Sequence, residues 1–270
     1  MDAVIDLDGY FRRIGYTGSR VPTVAVLHAI TRAHAEAIPF ENLDVLLGHP
    51  IELAPAALYR KLVVERRGGY CFEQNGLLLE VLTRLGFLVR PLSARVRLGT
   101  ADRSIDLPRT HLVLEVSVDG AAWITDVGVG SASLTAALRL VADVEQSTPH
   151  EPRRLVRADG RWYHQIWRGG AWVDVYEFTG EVMPLIDRTL ANWYTSTHPQ
   201  SKFRRDLLVA LARRDGRRVA LHGHELSFYA HTGAAEHRDV SAPGQLLAAL
   251  RDEFGIELPA GTRIRWPLAA

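Results

Sequence analysis

Two rhythms of apolar residues divide the chain. From Asp6 to Gly86 apolar positions recur every three to four residues, the period of helices that bury one face. Pro22 opens one such segment running to about Ala37, and Pro55 opens another running to about Arg66. A third segment, Cys71 to Leu85, lines up Leu77, Leu78, Val81, Leu82 and Leu85 and stops at Gly86. From Leu88 to about Thr179 the period drops to two. Short runs rich in Val, Trp and Tyr are joined there by Asp119-Gly120, Asp159-Gly160 and Gly169-Gly170, the dipeptides that close tight hairpins. This middle stretch predicts an antiparallel sheet or small barrel.

After a weakly patterned passage through Pro184 and Pro199, Leu207–Leu211 and Arg218–Leu221 flank Asp215-Gly216 as a further hairpin. Gln245 to Phe254 repeats Leu and Ala at helical spacing before Gly255, and Thr262–Trp266 predicts a last strand. The expected class is therefore α+β in three parts: helices over 1–87, an antiparallel β-barrel over 88–184, and a small α/β unit over 185–270. No repeat, low-complexity run or flexible linker separates them, so they should pack as one body.

Charge changes this picture little. The 32 basic and 31 acidic residues of the 270 nearly cancel, and no like-charge run reaches five or six. Neither a nucleic-acid partner nor an anionic membrane surface is suggested. The arginine pairs 66–67, 153–154, 204–205, 213–214 and 217–218 read as ordinary solvated faces. Met1–Gly9 has neither the basic start nor the apolar core of a signal peptide, and no apolar run reaches membrane-spanning length. A cytoplasmic protein is expected.

The chain has one cysteine, which excludes an internal disulfide and a cysteine-rich zinc site. Cys71 follows Gly68-Gly69-Tyr70 and directly precedes the apolar helical run, so two glycines can turn the backbone sharply into a helix whose first turn carries the thiol. A helix N-terminus favours the reactive thiolate. The bland alternative is a packed, inert cysteine.

A cysteine nucleophile needs a base, and the base needs an orienting partner. Turning the chain at Asp119-Gly120 sets Val118 opposite Ala121, Val116 opposite Trp123, Leu114 opposite Thr125 and Leu112 opposite Val127, which makes one hairpin face almost wholly apolar. On the other face His111 stands opposite Gly128 and Asp126 opposite Val113. His111 and Asp126 are then diagonal neighbours roughly 7 Å apart at the backbone, close enough for a side-chain hydrogen bond. His222 and His224 share the spacing of one strand face, but no carboxylate or cysteine pattern accompanies them, and no metal site is expected. His28, His34, His49, His150, His164, His198, His231 and His237 read as isolated side chains.

Arg66, Gly68-Gly69-Tyr70-Cys71-Phe72-Glu73-Gln74-Asn75-Gly76, Thr110-His111-Leu112-Val113 and Asp126-Val127-Gly128-Val129-Gly130 together strongly resemble the arylamine N-acetyltransferase family. Ile38-Pro39-Phe40-Glu41-Asn42-Leu43, Thr195-Ser196 and Ser201-Lys202-Phe203 look like family segments in the same order. The likeness covers most of the chain and thins after about Arg205. It implies a helical domain, a β-barrel domain and an α/β lid around a cysteine-protease-like core. In that core Cys71 is the nucleophile, His111 the base and Asp126 its orienter. It also implies that acetyl-CoA acylates the cysteine and that a small aromatic amine or hydrazine then takes the acetyl group. By position Phe40, Val96 and Phe203 match the family's acceptor pocket, and Thr110, Gly128 and Gly130 match the stretch near coenzyme A. Val129 departs from the aromatic the family commonly has there.

The chemistry is self-consistent, because a thiolate exchanges readily with a thioester and an amine then forms the more stable amide without ATP or metal. Two enzymatic alternatives remain at this point: an amide synthase of the same family acting on a polyketide thioester, and a thiol hydrolase or transglutaminase-like enzyme. A non-enzymatic binding module would carry a thiol of ordinary reactivity. The oligomeric state, including a homo-oligomer, is left open.

Overall fold

Residues 5–86 fold as short helices around one apolar cluster. They are α1 (Leu7–Ile14), α2 (Val24–Ala37), the two-residue strand β1 (Phe40–Glu41), α3 (Leu43–Leu47), α4 (Pro55–Tyr59) and α5 (Cys71–Arg84). The computed structural model describes residues 5–230, 235–242, 244–259 and 261–266. Local chemistry explains the boundaries. The Asp6 carboxylate accepts from Asp8 N and the Thr23 hydroxyl from Val26 N at the starts of α1 and α2, while Gly15 ends α1 in the left-handed region. Pro55 opens α4 as expected, but the segment then widens into a single π-turn over Arg60–Val64.

Eight antiparallel strands follow: β2 (Leu88–Val96), β3 (His111–Val118), β4 (Ala121–Thr125), β5 (Leu138–Arg139), β6 (Val144–Gln146), β7 (Arg153–Ala158), β8 (Arg161–Arg168) and β9 (Ala171–Val182). Their order β5-β4-β3-β2-β9-β8-β7-β6 curls into a nearly closed barrel, reached slightly further along the chain than Thr179. The three tight turns form as the dipeptides predict. Asp119 and Gly120, Asp159 and Gly160, and Gly169 and Gly170 all have positive φ, the signature of a type I′ hairpin. Along β3 the even positions Leu112, Leu114, Val116 and Val118 pack on the helices, while Val113 faces the barrel interior with Leu92, Ala94, Tyr176 and Phe178.

The remaining elements are α6 (Leu185–Thr197), α7 (Lys202–Arg205), β10 (Leu208–Ala212), β11 (Arg218–His222), β12 (Glu225–Tyr229), β13 (Ala235–Asp239) and α8 (Gln245–Phe254), the last capped by Gly255. The second sheet runs β1-β10-β11-β12-β13, so Phe40 and Glu41 from the N-terminal part pair with Ala210 and Val209. That pairing spans most of the chain and has no local signal. Thr262–Trp266 forms no strand.

Helix α6 occupies the passage that read as weakly patterned. The physical reason is that its polarity is inverted. Its buried positions are Asn192 and Thr195, while Leu185, Ile186, Leu190 and Trp193 are exposed. The arginine pairs also depart from the expected solvated faces: Arg153 and Arg218 are buried against Glu151, and Arg67 is largely buried against Glu41 and Asp44. Among the described residues no helix is long and apolar enough to cross a membrane.

One buried histidine ties the helices together. The Tyr10 hydroxyl lies 2.9 Å from His34 Nδ1, and His34 Nε2 lies 2.7 Å from Gln74 Oε1, while Gln74 Nε2 donates to Pro39 O at 2.7 Å. A neutral imidazole satisfies both contacts, accepting from the tyrosine and donating to the amide. Burial above all, with Arg13 adding to it against the Gln74 hydrogen bond, lowers the His34 pKa to about 4. Because this lies below the unfolded value of about 6.5, the unfolded chain takes the proton first. Stability from His34 is thus full above about pH 6.5 and is lost as pH falls toward 4, on the order of 3 kcal/mol in total. Urea unfolding between pH 7 and pH 4.5 should show that slope, and His34→Gln should flatten part of it.

Candidate active site

The turn before Cys71 is pressed flat against the segment Pro39–Glu41. Gly69 N donates to Pro39 O at 3.4 Å and Glu41 N donates to Gly69 O at 3.1 Å. A Cβ on Gly68 would stand 2.0 Å from Pro39 O, and one on Gly69 would stand 2.6 Å from the Glu73 carboxylate, so neither position admits a side chain. Tyr70 N donates to Glu73 Oε2 at 3.0 Å and fixes the first turn of α5. Cys71 is the first residue of that helix, only 3 % exposed, with Sγ 3.5 Å from Thr110 O.

The hairpin of β3 and β4 delivers the other two groups. Its register pairs Val118 with Ala121, Val116 with Trp123 and Leu114 with Thr125, as the apolar pattern predicts. The ladder then stops at Thr125, so the expected pairings of Leu112 with Val127, His111 with Gly128 and Val113 with Asp126 do not form. The backbone turns away instead to approach α5. His111 and Asp126 nevertheless meet, with Nε2 2.7 Å from Oδ2 and both residues buried. That contact leaves Nδ1 as the nitrogen not engaged by Asp126, and Cys71 stands close enough to the ring to help raise its pKa. Burial pushes the imidazole pKa down, but the Asp126 charge and hydrogen bond, helped by Cys71, outweigh it and raise His111 to about 10.

Asp126 is held from two sides. Asn75, one helical turn after Cys71, donates from Nδ2 to Asp126 Oδ1 and to Leu112 O, each at 2.7 Å, and its Oδ1 accepts from Val127 N at 3.0 Å. Gly128 N adds a bond to Asp126 Oδ1 at 2.9 Å. Behind the triad, the Tyr176 ring packs 5.2 Å from His111 and 4.7 Å from His164, inside the barrel.

Of the residues matched to coenzyme A, Thr110 and Gly128 lie against Cys71, and Gly130 lies beneath the Phe40 ring. Of those matched to the acceptor pocket, Phe40 and Phe203 meet with ring centres 6.1 Å apart, and Tyr70 lies 5.3 Å from Phe203. The Tyr70 hydroxyl bonds Asn192 of α6. Asn42 donates to Phe203 O and Asp206 O at 2.8 Å and accepts from Leu208 N at 2.9 Å, which seats the Phe203 turn. Val96 packs with the barrel cluster, two residues beyond Ala94, the strand partner of His111. Val129 is buried in the same cluster. His222 is exposed beside Asp206, His224 packs on Trp266, and His231 lies outside the described residues. Among the described residues no three His, Cys, Asp or Glu side chains gather as a metal site.

Known proteins match nearly the whole chain. A family model described as N-acetyltransferase matches residues 23–263. An arylamine N-acetyltransferase from Mycolicibacterium smegmatis is 45 % identical over 94 % of this chain and 93 % of its own length. The chain belongs to the arylamine N-acetyltransferase family. An arylamine N-acetyltransferase / N-hydroxyarylamine O-acetyltransferase from Salmonella typhimurium is 40 % identical, over 93 % of this chain and 88 % of its own. The solved structure of the Mycobacterium marinum arylamine N-acetyltransferase in complex with CoA superposes with a TM-score of 0.88 at 39 % identity, covering 93 % of each chain. The α+β fold with its barrel is that of the family. The amide-synthase alternative draws no support from these relatives.

Sequence reasoning missed the role of Asn75, although its place four residues after Cys71 puts it on the same helix face. Tyr176 and His164 carried no signal, because β9 and then β8 reach His111 only across β2, a pairing far along the chain. Gly128 sits directly against the start of α5. A Cβ there would lie 2.7 Å from Cys71 Cα and 2.9 Å from Asn75 Nδ2. Gly128→Ala is therefore expected to cost about 1–3 kcal/mol of stability through overpacking and to slow acylation of Cys71. Thermal unfolding and single-turnover acylation check this, and wild-type behaviour in both would count against the close approach.

Proposed function

We propose that this chain transfers an acetyl group from acetyl-CoA to an arylamine or arylhydrazine through an acetyl-Cys71 intermediate, with His111 as base and Asp126 as its orienter. The observation that carries the reading is the buried His111–Asp126 contact at 2.7 Å, with Cys71 at the head of α5 held against Thr110, the residue before His111. We extend it to a division into a helical domain over 1–87, a barrel domain over 88–184 and an α/β lid over 185–270, and to a cytoplasmic location.

The thiol proton passes to His111 Nδ1, and the thiolate attacks the thioester carbonyl. Asp126 stabilises the imidazolium that forms and holds the ring in its tautomer without taking the proton. The unpaired backbone N–H groups at the start of α5 are suited to the developing oxyanion. As the tetrahedral species collapses, the carbon–sulfur bond to coenzyme A breaks and His111 returns its proton to the departing thiolate. The amine nitrogen then attacks the acetyl-cysteine carbonyl while His111 removes its proton. The amide leaves, and Cys71 recovers the proton. Thr110, Gly128 and Gly130 are assigned to the coenzyme A side, and Phe40, Val96 and Phe203 to the acceptor side, where the Phe40 and Phe203 rings, tilted 47° to each other, offer apolar faces to an aromatic ring.

Acetyl-CoA alone should therefore add one acetyl group per chain by intact-protein mass spectrometry, and Cys71→Ala should accept none. An arylamine or a hydrazide should discharge it, and initial rates with both substrates varied should give parallel double-reciprocal lines. Intersecting lines with an unmodified Cys71 would mean direct transfer and would refute the covalent route.

Asp126→Asn should fold, because the amide keeps the shape of the carboxylate, yet lose on the order of 10²-fold or more in turnover through a misoriented imidazole. Near-normal turnover of the folded variant would remove Asp126 from its role.

A further inference from the structure

Three consecutive carbonyls behind the active site are each gripped by a different arginine. Arg168 of β8 donates to Ser131 O at 2.9 Å, Arg153 of β7 to Ala132 O at 2.8 Å, and Arg218 of β11 to Ser133 O at 3.0 Å. One carboxylate gathers all three. Glu151 lies 3.1 Å from Arg153, 2.5 Å from Arg218 Nε and 3.8 Å from Arg168. Arg153 and Arg218 are fully buried, and nothing in the triad chemistry uses them. Burying guanidinium groups costs several kcal/mol each unless they are paired and hydrogen-bonded, so an arrangement this elaborate is a costly way to hold an ordinary turn.

The turn they hold is the one that begins at Asp126. Its own bonds run from Leu134 N to Asp126 O at 2.7 Å, from Ser133 N to Gly130 O at 3.0 Å and from Val129 N to Ser133 Oγ at 3.1 Å. Its front edge carries Gly128 against Cys71 and Gly130 against Phe40. The carbonyls of 131–133 form its back edge, and there the arginines from both sheets converge. On the aromatic side the Phe203 turn is seated separately, by Asn42. Burial opposes ionisation of Glu151, but Arg218 and Arg153 hold its pKa down to about 2, so the carboxylate stays charged through the working range.

We propose that Glu151, acting through Arg153, Arg168 and Arg218, is a positioning residue for the acyl-donor side of the site: it keeps the 126–134 turn shaped so that Gly128 and Gly130 face the coenzyme A thioester. This rests on the reading above that the turn meets the acyl donor. It assigns donor recognition and acceptor recognition to two separately anchored segments, so the two half-reactions should respond differently when one anchor is cut.

The test compares those half-reactions in the full-length Glu151→Gln protein, which keeps the side-chain shape and removes the charge shared by three guanidiniums. Acetylation of Cys71 by acetyl-CoA should slow about tenfold, chiefly through KM, whereas discharge of the isolated acetyl-enzyme by an arylamine should stay within about twofold. Arg168→Gln removes the outermost and least buried of the three arginines and should shift the donor KM the same way by about threefold. It carries the test alone if Glu151→Gln does not fold. An unchanged donor KM in the folded variants, or equal slowing of both half-reactions, overturns the proposal. Failure of the wild-type enzyme to become acetylated would instead overturn the covalent reading of the site.

Discussion

Everything in the site hangs on the Asp126 carboxylate. It is fully buried, and it accepts from His111, from Asn75 and from the backbone of Gly128. These three donors come from the start of β3, from α5 and from the turn after β4. One carboxylate thus sets the distance between the helix that carries Cys71 and the strand that carries His111. A charge in such a place costs several kcal/mol of desolvation and is tolerable only when its lone pairs are met, as they are here. The same bonds that satisfy it also determine where Cys71 stands relative to the imidazole.

Buried charge recurs at each seam of the molecule. Glu41 and Asp44 meet Arg67 where the nucleophile turn leaves the helices, and Lys61 links Asp44 to Glu73 at 2.6 Å each. Glu177 meets Arg97 at 2.9 Å and Arg161 at 2.6 Å on the barrel wall. Apolar contacts near these seams could be made in several registers with similar energy, because the hydrophobic effect is non-directional. A bidentate guanidinium–carboxylate contact has a fixed geometry. These pairs therefore select one packing within the helical part and one within the barrel wall, even where their net contribution to stability is small.

The parts of this picture that were legible in the sequence are local. Period-two alternation through Asp119-Gly120 sufficed to bring His111 and Asp126 to one side, and Gly68-Gly69 with the apolar run after Cys71 marked a helix start. The register held as far as Thr125. Beyond it the chain obeys the close approach of Gly128 to α5, a tertiary contact that no strand pattern encodes. Helix α6 escaped notice because Asn192 faces inward toward Tyr70 while Leu190 and Trp193 face out, the reverse of the rule by which helices are recognised. Arg153 and Arg218 read as surface residues because arginine side chains are mostly exposed. Their partner Glu151 lies two residues before one of them and far from the other, so only the folded chain reveals the cluster.

The lone cysteine has one further consequence. With a single sulfhydryl in 270 residues, and that one at the head of α5, thiol oxidation in this chain falls on one position beside His111 and Asp126. No second thiol is present to resolve a sulfenic acid by an internal disulfide, so recovery from oxidation at Cys71 depends on a small-molecule thiol able to reach it. A thiol-directed electrophile that modifies this chain therefore reports on Cys71 alone, with no background from a second sulfhydryl.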